Sequence, residues 1–324
     1  MTGYGQDIVN SKEKAFSAME VTLKNQEGDY DYRVARWVEL AALLEVTARK
    51  PGNVHPLMSF ADCSYVDFVL SAQAIVPVFQ KISHLQVGEA VYQAIDRTQQ
   101  SVRTNTNLGM VLLFVPLGCA AAQGLHFYDT ADAVYLANFR SCLNSVLKSL
   151  TYKDTRDVIR GIRISNAGGL GTVAEYDIQD NPQGDLVTIM AVAQQKDLVA
   201  RQYCNGFADV LEVCLPELDA SIQKGLPLEE AIIRTHVYTM SQFPDSLIVR
   251  KRGEREGIEA MQRAAEVIDS DWPEGSQSHA KLDQLDSWLR AVGNRRNPGT
   301  TADLVAASLF VAFCCQVITF PHKW

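Results

Sequence analysis

Apolar side chains recur at helical spacing along almost the whole chain, and this periodicity restricts the fold more than any other feature. Val34, Val38 and Ala41, for example, fall on one face of a helix. No alternating run bounded by turn residues predicts a β-strand. We therefore predict an all-α protein. The predicted helices are Val34–Ala48, Tyr65–Ile82, Val87–Val102, Leu108–Gln123, Thr130–Leu150, Leu186–Leu215, Pro227–Gln242, Arg255–Val267, His279–Val292 and Thr301–Phe320.

The length and composition predict a single large helical domain. The chain has 324 residues, of which 47% are hydrophobic, so it can bury a large core. No linker, repeat or low-complexity tract divides residues 31–324. Residues 1–30 are polar, and we expect them to form a partly flexible N-terminal extension. Leu108–Ala122 and Leu304–Phe320 are apolar but shorter than the roughly 20 residues of a membrane-spanning helix, so we expect buried core helices.

The charge and the cysteines limit the partners and the compartment. The net charge of −8 argues against nucleic acid and anionic membranes as partners. The seven cysteines lack metal-ligand spacing, and the N-terminus has no apolar signal core. We expect a cytoplasmic protein with reduced thiols. The sequence does not fix the oligomeric state and is compatible with a homodimer.

A carboxylate followed by a tight turn marks the end of the first predicted helix. Glu45 lies four residues beyond Ala41 and so points towards the apolar face, where a charge needs a partner or a function. A Pro-Gly pair then ends the helix. A polar site and a simple helix stop both fit this pattern. The residues that the turn brings to the helix end are Lys50, Gly52, Asn53 and His55.

Two loops carry groups that suit anions. Four polar residues before the predicted Leu108 helix exceed what one helix cap needs, so we expect capping together with ligand contact. The glycine-rich loop after Arg163 predicts either a nest of backbone N–H groups for phosphate or a turn that needs positive φ. The residues are Thr104, Asn105, Thr106 and Asn107 in the first loop, and Gly168, Gly169 and Gly171 in the second.

Two aspartates in the predicted helices have both structural and functional interpretations. Asp303 follows Gly299 and Thr300, and Thr300-x-x-Asp303 resembles a capping box that opens the last helix. Asp197 lies inside a predicted helix, four residues before Arg201, and is expected either to form an intrahelical ion pair or to bind magnesium or ribose.

The densest basic cluster in the chain follows Asp245. It comprises Arg250, Lys251 and Arg252. Such a cluster is either a clamp for phosphate groups or a solvated run of charge. The sequence leaves both interpretations open.

These motifs, read in order, resemble those of the triphosphoribosyl-dephospho-CoA synthase family. The resemblance rests on Lys50–His55, Arg103–Gly109, Asn166–Gly171 and Asn297–Leu304, and it runs from about Trp37 to about Phe310. It implies an all-helical enzyme that transfers the triphosphoribosyl part of ATP to the ribose 2′-hydroxyl of 3′-dephospho-CoA and releases adenine.

The chain also departs from the reference members of that family. They continue the first turn as Lys-Pro-Gly-Leu-Val-Asp, whereas this chain has Asn53-Val54-His55. They tend to have Pro-Gly-Gly-Ser-Ala-Asp where this chain has Pro-Gly-Thr-Thr-Ala-Asp, which ends at Asp303. The departure predicts that the nucleotide machinery is kept while the acceptor differs.

The resemblance implies roles for the candidate residues. Glu45 and Asp303 would supply the general base and the stabilisation of an oxocarbenium-like transition state, in either order. Asp177 and Asp197 would hold Mg²⁺ with ATP. The implied substrate-binding residues are Lys50, Gly52, Asn53, His55, Thr104, Asn105, Thr106, Asn107, Gly168, Gly169, Gly171, Asp245, Arg250, Lys251, Gly299 and Thr300.

Two alternatives remain beside this interpretation. The same scaffold could serve a different acceptor, for example in the biosynthesis of a one-carbon pterin cofactor. A non-catalytic, nucleotide-binding helical protein is the other alternative. It predicts that Glu45, Lys50 and Asp303 lie apart in space.

Overall fold

The computed structural model describes residues 30–102, 104–124, 132–165 and 184–319. Over these residues the backbone is helical with short connections, and extended pairing is limited to two isolated bridges, His55 with Met58 and Phe60 with Cys63. The all-α prediction is therefore confirmed. Residues 1–29 lie outside the described ranges, so the predicted N-terminal extension stays a prediction.

Fourteen α-helices are numbered here in chain order over the described residues. A π-helical segment, Asp209–Cys214, lies between α8 and α9, and short 3-10 turns occupy Ile82–His84 and Gly293–Arg296. The helices are α1 Tyr30–Thr47, α2 Tyr65–Phe79, α3 Val87–Ser101, α4 Leu108–Gly124, α5 Asp132–Lys148, α6 Tyr152–Ile164, α7 Leu186–Ala193, α8 Leu198–Asn205, α9 Leu215–Gln223, α10 Leu228–Gln242, α11 Ser246–Arg252, α12 Glu254–Asp269, α13 Ser278–Arg290 and α14 Gly299–Cys314.

Helix α14 is the centre of the core. Every residue of it is buried except Gly299 and Asp303, and it packs against α1, α4, α8, α9, α10 and α11. A helix that is apolar around its whole circumference is stable in water only when other helices surround it. The buried helices predicted from Leu108 and from Leu304 are thus confirmed, but the second ends at Cys314 and does not reach Phe320. No described helix is long and apolar enough to cross a membrane.

The single helix predicted over Leu186–Leu215 is wrong. Helix α7 ends at Ala193, and α8 begins only after Asp197, whose carboxylate accepts hydrogen bonds from the first backbone N–H groups of α8. Gly206 then ends α8 with a φ of 67°. An Asp side chain competes for backbone N–H groups, and a left-handed Gly stops a helix, so local chemistry interrupts a continuous apolar pattern.

Three helices, α6, α9 and α11, were absent from the prediction, and α9 begins at Leu215, the last residue of the wrongly predicted helix. Helix α6 is strongly polar, but it begins with a capping box in which the Thr151 and Asp154 side chains bond each other's backbone. Helix α11 has seven residues, too few to show a period. Polar loops precede α8, α11 and α14, and the candidate site lies at the N-terminal ends of these three helices.

Candidate active site

Glu45 and Lys50 form a buried ion pair at the C-terminal end of α1. Lys50 Nζ lies 2.9 Å from Glu45 Oε1, and the two residues are 0% and 2% exposed. The same ammonium donates to the carbonyl oxygens of Glu45 and Ala48. It therefore satisfies backbone carbonyls that the end of a helix leaves unpaired. Its three hydrogen-bond donors are engaged inside the protein, which leaves none for the predicted phosphate contact.

The turn after Lys50 packs directly on the turn that precedes α14. Gly52 has a φ of 75°, and a Cβ there would lie 2.8 Å from both Leu289 Cδ1 and Pro298 Cδ. The Asn53 side-chain amide donates to Asn297 Oδ1 at 2.7 Å. Glycine is therefore required at position 52 for close packing, and two motifs that are distant in sequence share one interface. Asn297 belongs to the last motif, but the sequence did not predict it as a site residue.

His55 also faces the protein. It is buried, and its Nδ1 accepts a hydrogen bond from the Leu57 backbone N–H at 3.3 Å. Burial lowers the pKa of His55, and the positive charge of Arg290 lowers it further. At neutral pH His55 is thus a neutral hydrogen-bonding residue of the turn. The Asn53-Val54-His55 sequence that sets this chain apart contributes internal contacts.

Asp303 does not cap its own helix, so the predicted capping box is wrong. The first turn of α14 is capped from outside, because Asp245 Oδ2 accepts the Thr301 backbone N–H at 2.7 Å. Asp303 instead reaches across to the N-terminal turn of α4, where the Met110 backbone N–H is its hydrogen-bond donor. A Cβ on Gly109 would overlap the Asp303 carboxylate. Gly109, a residue that the sequence interpretation missed, therefore makes room for Asp303.

Among the described residues, the charge of Asp303 is poorly compensated. Burial raises the pKa of Asp303 well above its ordinary value, and the negative charges of Glu45, Asp245 and Asp197 raise it further. Unlike nearly all of α14, this residue retains partial exposure. Asp303 and Glu45 thus lie within electrostatic reach of each other.

Asp245 is a structural residue of the same region. It is buried, and its Oδ1 accepts the backbone N–H groups of Leu247 at 2.8 Å and Ile248 at 3.1 Å. Its Oδ2 accepts the backbone N–H and the hydroxyl of Thr301 at 2.7 and 2.8 Å. Burial raises the pKa of Asp245, and these four bonds oppose that rise. One carboxylate thereby caps both α11 and α14.

Asp197 and Arg250 face each other at the edge of the site. Asp197 Oδ1 caps α8, while its Oδ2 lies 3.8 Å from Arg250 Nη1. The ion pair expected between Asp197 and Arg201 does not form, because Asp197 precedes the helix and Arg201 instead bonds Asp209 at 2.7 Å. In the described part of the chain, one oxygen of the Asp197 carboxylate is therefore engaged by a long ion pair alone.

In the basic cluster one residue forms a short ion pair within the protein, and the other two make only long contacts among the described residues. Arg252 is paired with Glu256 in an i,i+4 ion pair. Within the described ranges Arg250 has only the long contact to Asp197, and Lys251 donates to the Asn294 carbonyl at 3.4 Å. Burial lowers the pKa of Lys251, and the neighbouring charge of Arg250 lowers it further. Two adjacent cations with long contacts suit an anionic ligand.

The polar loop before α4 is held mainly by internal bonds. Asn105 caps α4 by accepting the Leu108 backbone N–H at 3.1 Å, which confirms capping. Thr106 shares a hydrogen bond with the Ser71 hydroxyl. Asn107 is buried and donates to Thr98 Oγ1 at 3.1 Å. Thr104 is partly exposed, so among these four residues Thr104 and Asn105 retain exposure towards a ligand.

The remaining predicted residues are either packed or outside the described ranges. A Cβ on Gly299 would lie 2.7 Å from Leu247 Cδ2, so this glycine lets α14 approach α11. Thr300 is buried in the same turn. In the described part of the chain no three His, Cys, Asp or Glu residues group as a metal site. Gly168, Gly169, Gly171 and Asp177 lie outside the described residues, and their roles stay predictions.

Fold and site together define an all-helical protein with a carboxylate-centred site where several helix N-termini meet. A family model described as ATP:dephospho-CoA triphosphoribosyl transferase matches residues 31–318. The chain therefore belongs to the ATP:dephospho-CoA triphosphoribosyl transferase family, as the resemblance of its motifs indicated.

Individual relatives agree with this family. Two proteins from strains of Pseudomonas fluorescens, each named a probable 2-(5''-triphosphoribosyl)-3'-dephosphocoenzyme-A synthase, are 33% and 32% identical over 107 residues. That segment is 33% of this chain and about a third (36%) of the length of each relative. A crystal structure of a protein from Archaeoglobus fulgidus, provisionally named as a triphosphoribosyl-dephospho-CoA synthase, is similar in fold. The matched region is 75% of this chain and 97% of the Archaeoglobus fulgidus chain. Its TM-score of 0.54 at 22% identity supports the fold.

Proposed function

We propose that the protein transfers the triphosphoribosyl part of ATP to a hydroxyl of 3′-dephospho-CoA, or of a related nucleotide acceptor, with release of adenine. Family membership supports the class of reaction. The proposal centres on Asp303 because its carboxyl group is partly exposed and has an unusual pKa. Burial and the neighbouring carboxylates raise this pKa well above its ordinary value. A catalytic acid or base works best when its pKa lies near the working pH.

The reaction is a displacement at the anomeric carbon of the ATP ribose. The acceptor oxygen bonds C1′ while the C1′–N9 bond breaks, and adenine leaves with a proton from water. Asp303 accepts the proton that the acceptor hydroxyl loses. Its negative charge also stabilises the oxocarbenium-like transition state, a demand shared with glycoside hydrolysis. Asp303 is thus the proposed catalytic residue that touches the reacting atoms.

The surroundings of Asp303 suit the triphosphate. The N-terminal ends of α4, α8 and α14 lie around it, and the dipole at a helix N-terminus favours anions. Arg250 and Lys251 add positive charge from the C-terminal end of α11. We assign phosphate binding to these two cations rather than to Lys50.

The residues present fit a magnesium ion that accompanies ATP. Mg²⁺ usually binds one or two carboxylates together with substrate phosphates. Asp197 offers Oδ2, whose one contact with another described residue is the long one to Arg250. When bound, the ion would neutralise phosphate charge. Asp177 remains the second proposed ligand.

Release of adenine tests the proposal directly. Purified protein is incubated with ATP, Mg²⁺ and either 3′-dephospho-CoA or other CoA-type and pterin acceptors, and products are followed by mass spectrometry. We expect adenine and an acceptor that is heavier by the triphosphoribosyl group. Absence of adenine with every acceptor would contradict the proposed function. Adenine release with a pterin acceptor alone would support the alternative acceptor.

A further inference from the structure

Arg201 lies in the first turn of α8, next to residues of the candidate site. Its helix begins just after Asp197, and the Leu198 backbone N–H that opens α8 donates to the Ser246 hydroxyl of α11 at 2.8 Å. The Arg201 guanidinium lies over the ring of Phe243, in the connection between α10 and α11, with 4.3 Å between the guanidinium carbon and the ring centroid. Arg201 is therefore placed where α8 and α11 meet.

The guanidinium of Arg201 is fixed from one side by Asp209. Arg201 Nε lies 2.7 Å from Asp209 Oδ2, and the buried Gln202 side-chain amide donates to the same oxygen. Asp209 opens the π-helical segment, which the chain reaches through two consecutive left-handed residues, Gly206 at a φ of 67° and Phe207 at 64°. Such backbone is costly and is frequent at functional sites. Here it brings Asp209 against Arg201.

The terminal nitrogens of Arg201 distinguish it from other partly buried arginines. Four of these donate from an Nη group to an oxygen of the protein, namely Arg234, Arg252, Arg290 and Arg296. Among the described residues, Arg201 bonds through Nε alone. Its Nη2 is enclosed without a partner there, whereas Nη1 stays accessible, and 29% of the side chain is exposed. A guanidinium held on one edge and accessible at another suits an oxyanion.

Arg201 and Arg250 are both neighbours of Asp197. Arg250 Nη1 is 3.8 Å from Asp197 Oδ2, and Arg201 follows Asp197 by four residues, about 6 Å along α8. Asp197 does not bind Arg201, because its Oδ1 caps α8 and Asp209 holds the guanidinium. Each arginine thus keeps hydrogen-bonding capacity for a ligand. A polyphosphate, as a chain of oxyanions, is the kind of ligand that can contact several such cations in a row.

We propose that Arg201 binds the polyphosphate part of the nucleotide substrate, and that Asp209 and Phe243 are positioning residues that fix its guanidinium. The sequence suggested for Arg201 only one half of an intrahelical ion pair. The inference rests on the proposed function for the identity of the nucleotide, and it adds a third cation to Arg250 and Lys251. Binding involves no transfer step, so it is measurable without an acceptor.

Isothermal titration calorimetry with MgATP and with inorganic tripolyphosphate tests the inference. In Arg201→Met we expect the dissociation constants of both ligands to rise by about tenfold or more, because charge-assisted hydrogen bonds are lost. Arg201→Lys keeps a cation beside Asp209 but lacks the planar guanidinium over Phe243, so we expect about fivefold weaker binding in a folded protein. A purely structural ion pair predicts full affinity for the lysine variant.

The positioning residues are tested by smaller substitutions. Asp209→Asn keeps an acceptor for Arg201 Nε but removes the charge, and Phe243→Leu removes the aromatic ring. Each leaves Arg201 in place with more freedom of orientation. We expect the dissociation constants of MgATP and tripolyphosphate to rise by about threefold in both variants, because a less fixed side chain loses more entropy on binding.

Arg140→Met is the matched control. Arg140 also pairs with the π-helical segment, through Glu212 at 2.7 Å, but this ion pair lies at the surface, with 37% of the Arg140 side chain and 57% of the Glu212 side chain exposed. Exposed pairs contribute little to stability. This variant should keep both dissociation constants within about twofold and leave the melting temperature unchanged.

A double variant protects the test against misfolding. Arg201→Met leaves the Asp209 carboxylate without its cation, and an unpaired buried charge destabilises a protein strongly. If Arg201→Met does not fold, Arg201→Met/Asp209→Asn, which removes both charges, takes its place. The same loss of affinity, about tenfold or more, is expected for it.

The two ligands separate this inference from the proposed function. Weaker binding of tripolyphosphate by Arg201→Met supports the inference even if no acceptor yields adenine. If adenine is released, the Michaelis constant for ATP should rise about tenfold in Arg201→Met, while turnover at saturation stays within about threefold. Affinities within twofold of the unmodified protein in Arg201→Met or its double variant, full affinity in Arg201→Lys, or failure of the unmodified protein to bind either ligand would overturn the inference.

Discussion

Asp245 and Asp303 lie in the same region of the protein, and burial raises the pKa of both carboxyl groups. The two carboxylates differ in their hydrogen bonds and in their exposure. Asp245 accepts four hydrogen bonds and is completely enclosed. Among the described residues, Asp303 receives one backbone donor, from Met110. It stays partly exposed, and the charges of three other carboxylates act on it. The difference separates a carboxylate that holds helices together from one that is available for chemistry.

The comparison also shows why buried charge alone does not identify a catalytic group. A carboxylate whose lone pairs are occupied by backbone N–H groups is stabilised in its ionised form and has no free oxygen for a substrate. A carboxylate repelled by its neighbours costs stability, and such a cost is typical of functional sites. Asp303 belongs to the second kind.

The largest expected effect is the loss of turnover in Asp303→Asn. The substitution keeps the shape of the side chain and the acceptor for Met110, but it removes the ionisable group. We expect turnover to fall by about 10²-fold or more, the usual scale for losing a general acid or base. Single-turnover measurements of adenine release check this. Turnover within threefold of the unmodified protein would remove Asp303 from the mechanism.

Asp245→Ala is expected to act on stability instead. Two helix caps and a buried hydrogen-bonded pair are lost together, so unfolding should become easier by about 2–4 kcal/mol. Denaturant unfolding measures this change. Asp185→Ala is the matched control, because Asp185 is an exposed cap that accepts one N–H, from Thr188, and should cost about 1 kcal/mol. Equal costs for the two variants would contradict the structural role of Asp245.

Gly109→Ala should disturb Asp303 without removing it. The new methyl group would overlap the carboxylate and displace it, and small displacements of catalytic groups are expensive. We expect turnover to fall on the order of tenfold. Gly161→Ala is the control, since a Cβ on Gly161 in α6 has its nearest neighbour 3.5 Å away. A normal rate for Gly109→Ala would show that the position of Asp303 is not critical.

Much of the fold and the position of Glu45 could be predicted from the sequence. Glu45 falls on the apolar face by spacing alone, and it is buried as expected. Helix α4 begins at Leu108, as its apolar period predicted. The break between α7 and α8 was harder to predict, because Asp197 interrupts an apolar stretch by capping α8. A short side chain thereby outweighed the periodicity around it.

The contacts that distinguish Asp245 from Asp303 could not be predicted from the sequence. Asp245 bonds Thr301 across 56 positions, and Asp303 reaches a helix from another part of the chain. No local pattern encodes such a choice of partner, so Thr300-x-x-Asp303 was interpreted as a cap. Lys50 was misjudged for the same reason. A lysine in a polar turn resembles a phosphate ligand until its burial against α1 is known.

The pH dependence of stability tests the central claim most directly, namely that the described residues leave the charge of Asp303 poorly compensated. The folded-state pKa of Asp303 is raised above its unfolded value. Its ionisation therefore removes stability as pH rises from the ordinary carboxyl pKa through the raised one. Asn at this position has no such loss. We predict that the melting temperature of Asp303→Asn, relative to the unmodified protein, increases over that pH interval. A difference that stays constant with pH, or that shifts in favour of the unmodified protein, would contradict the account.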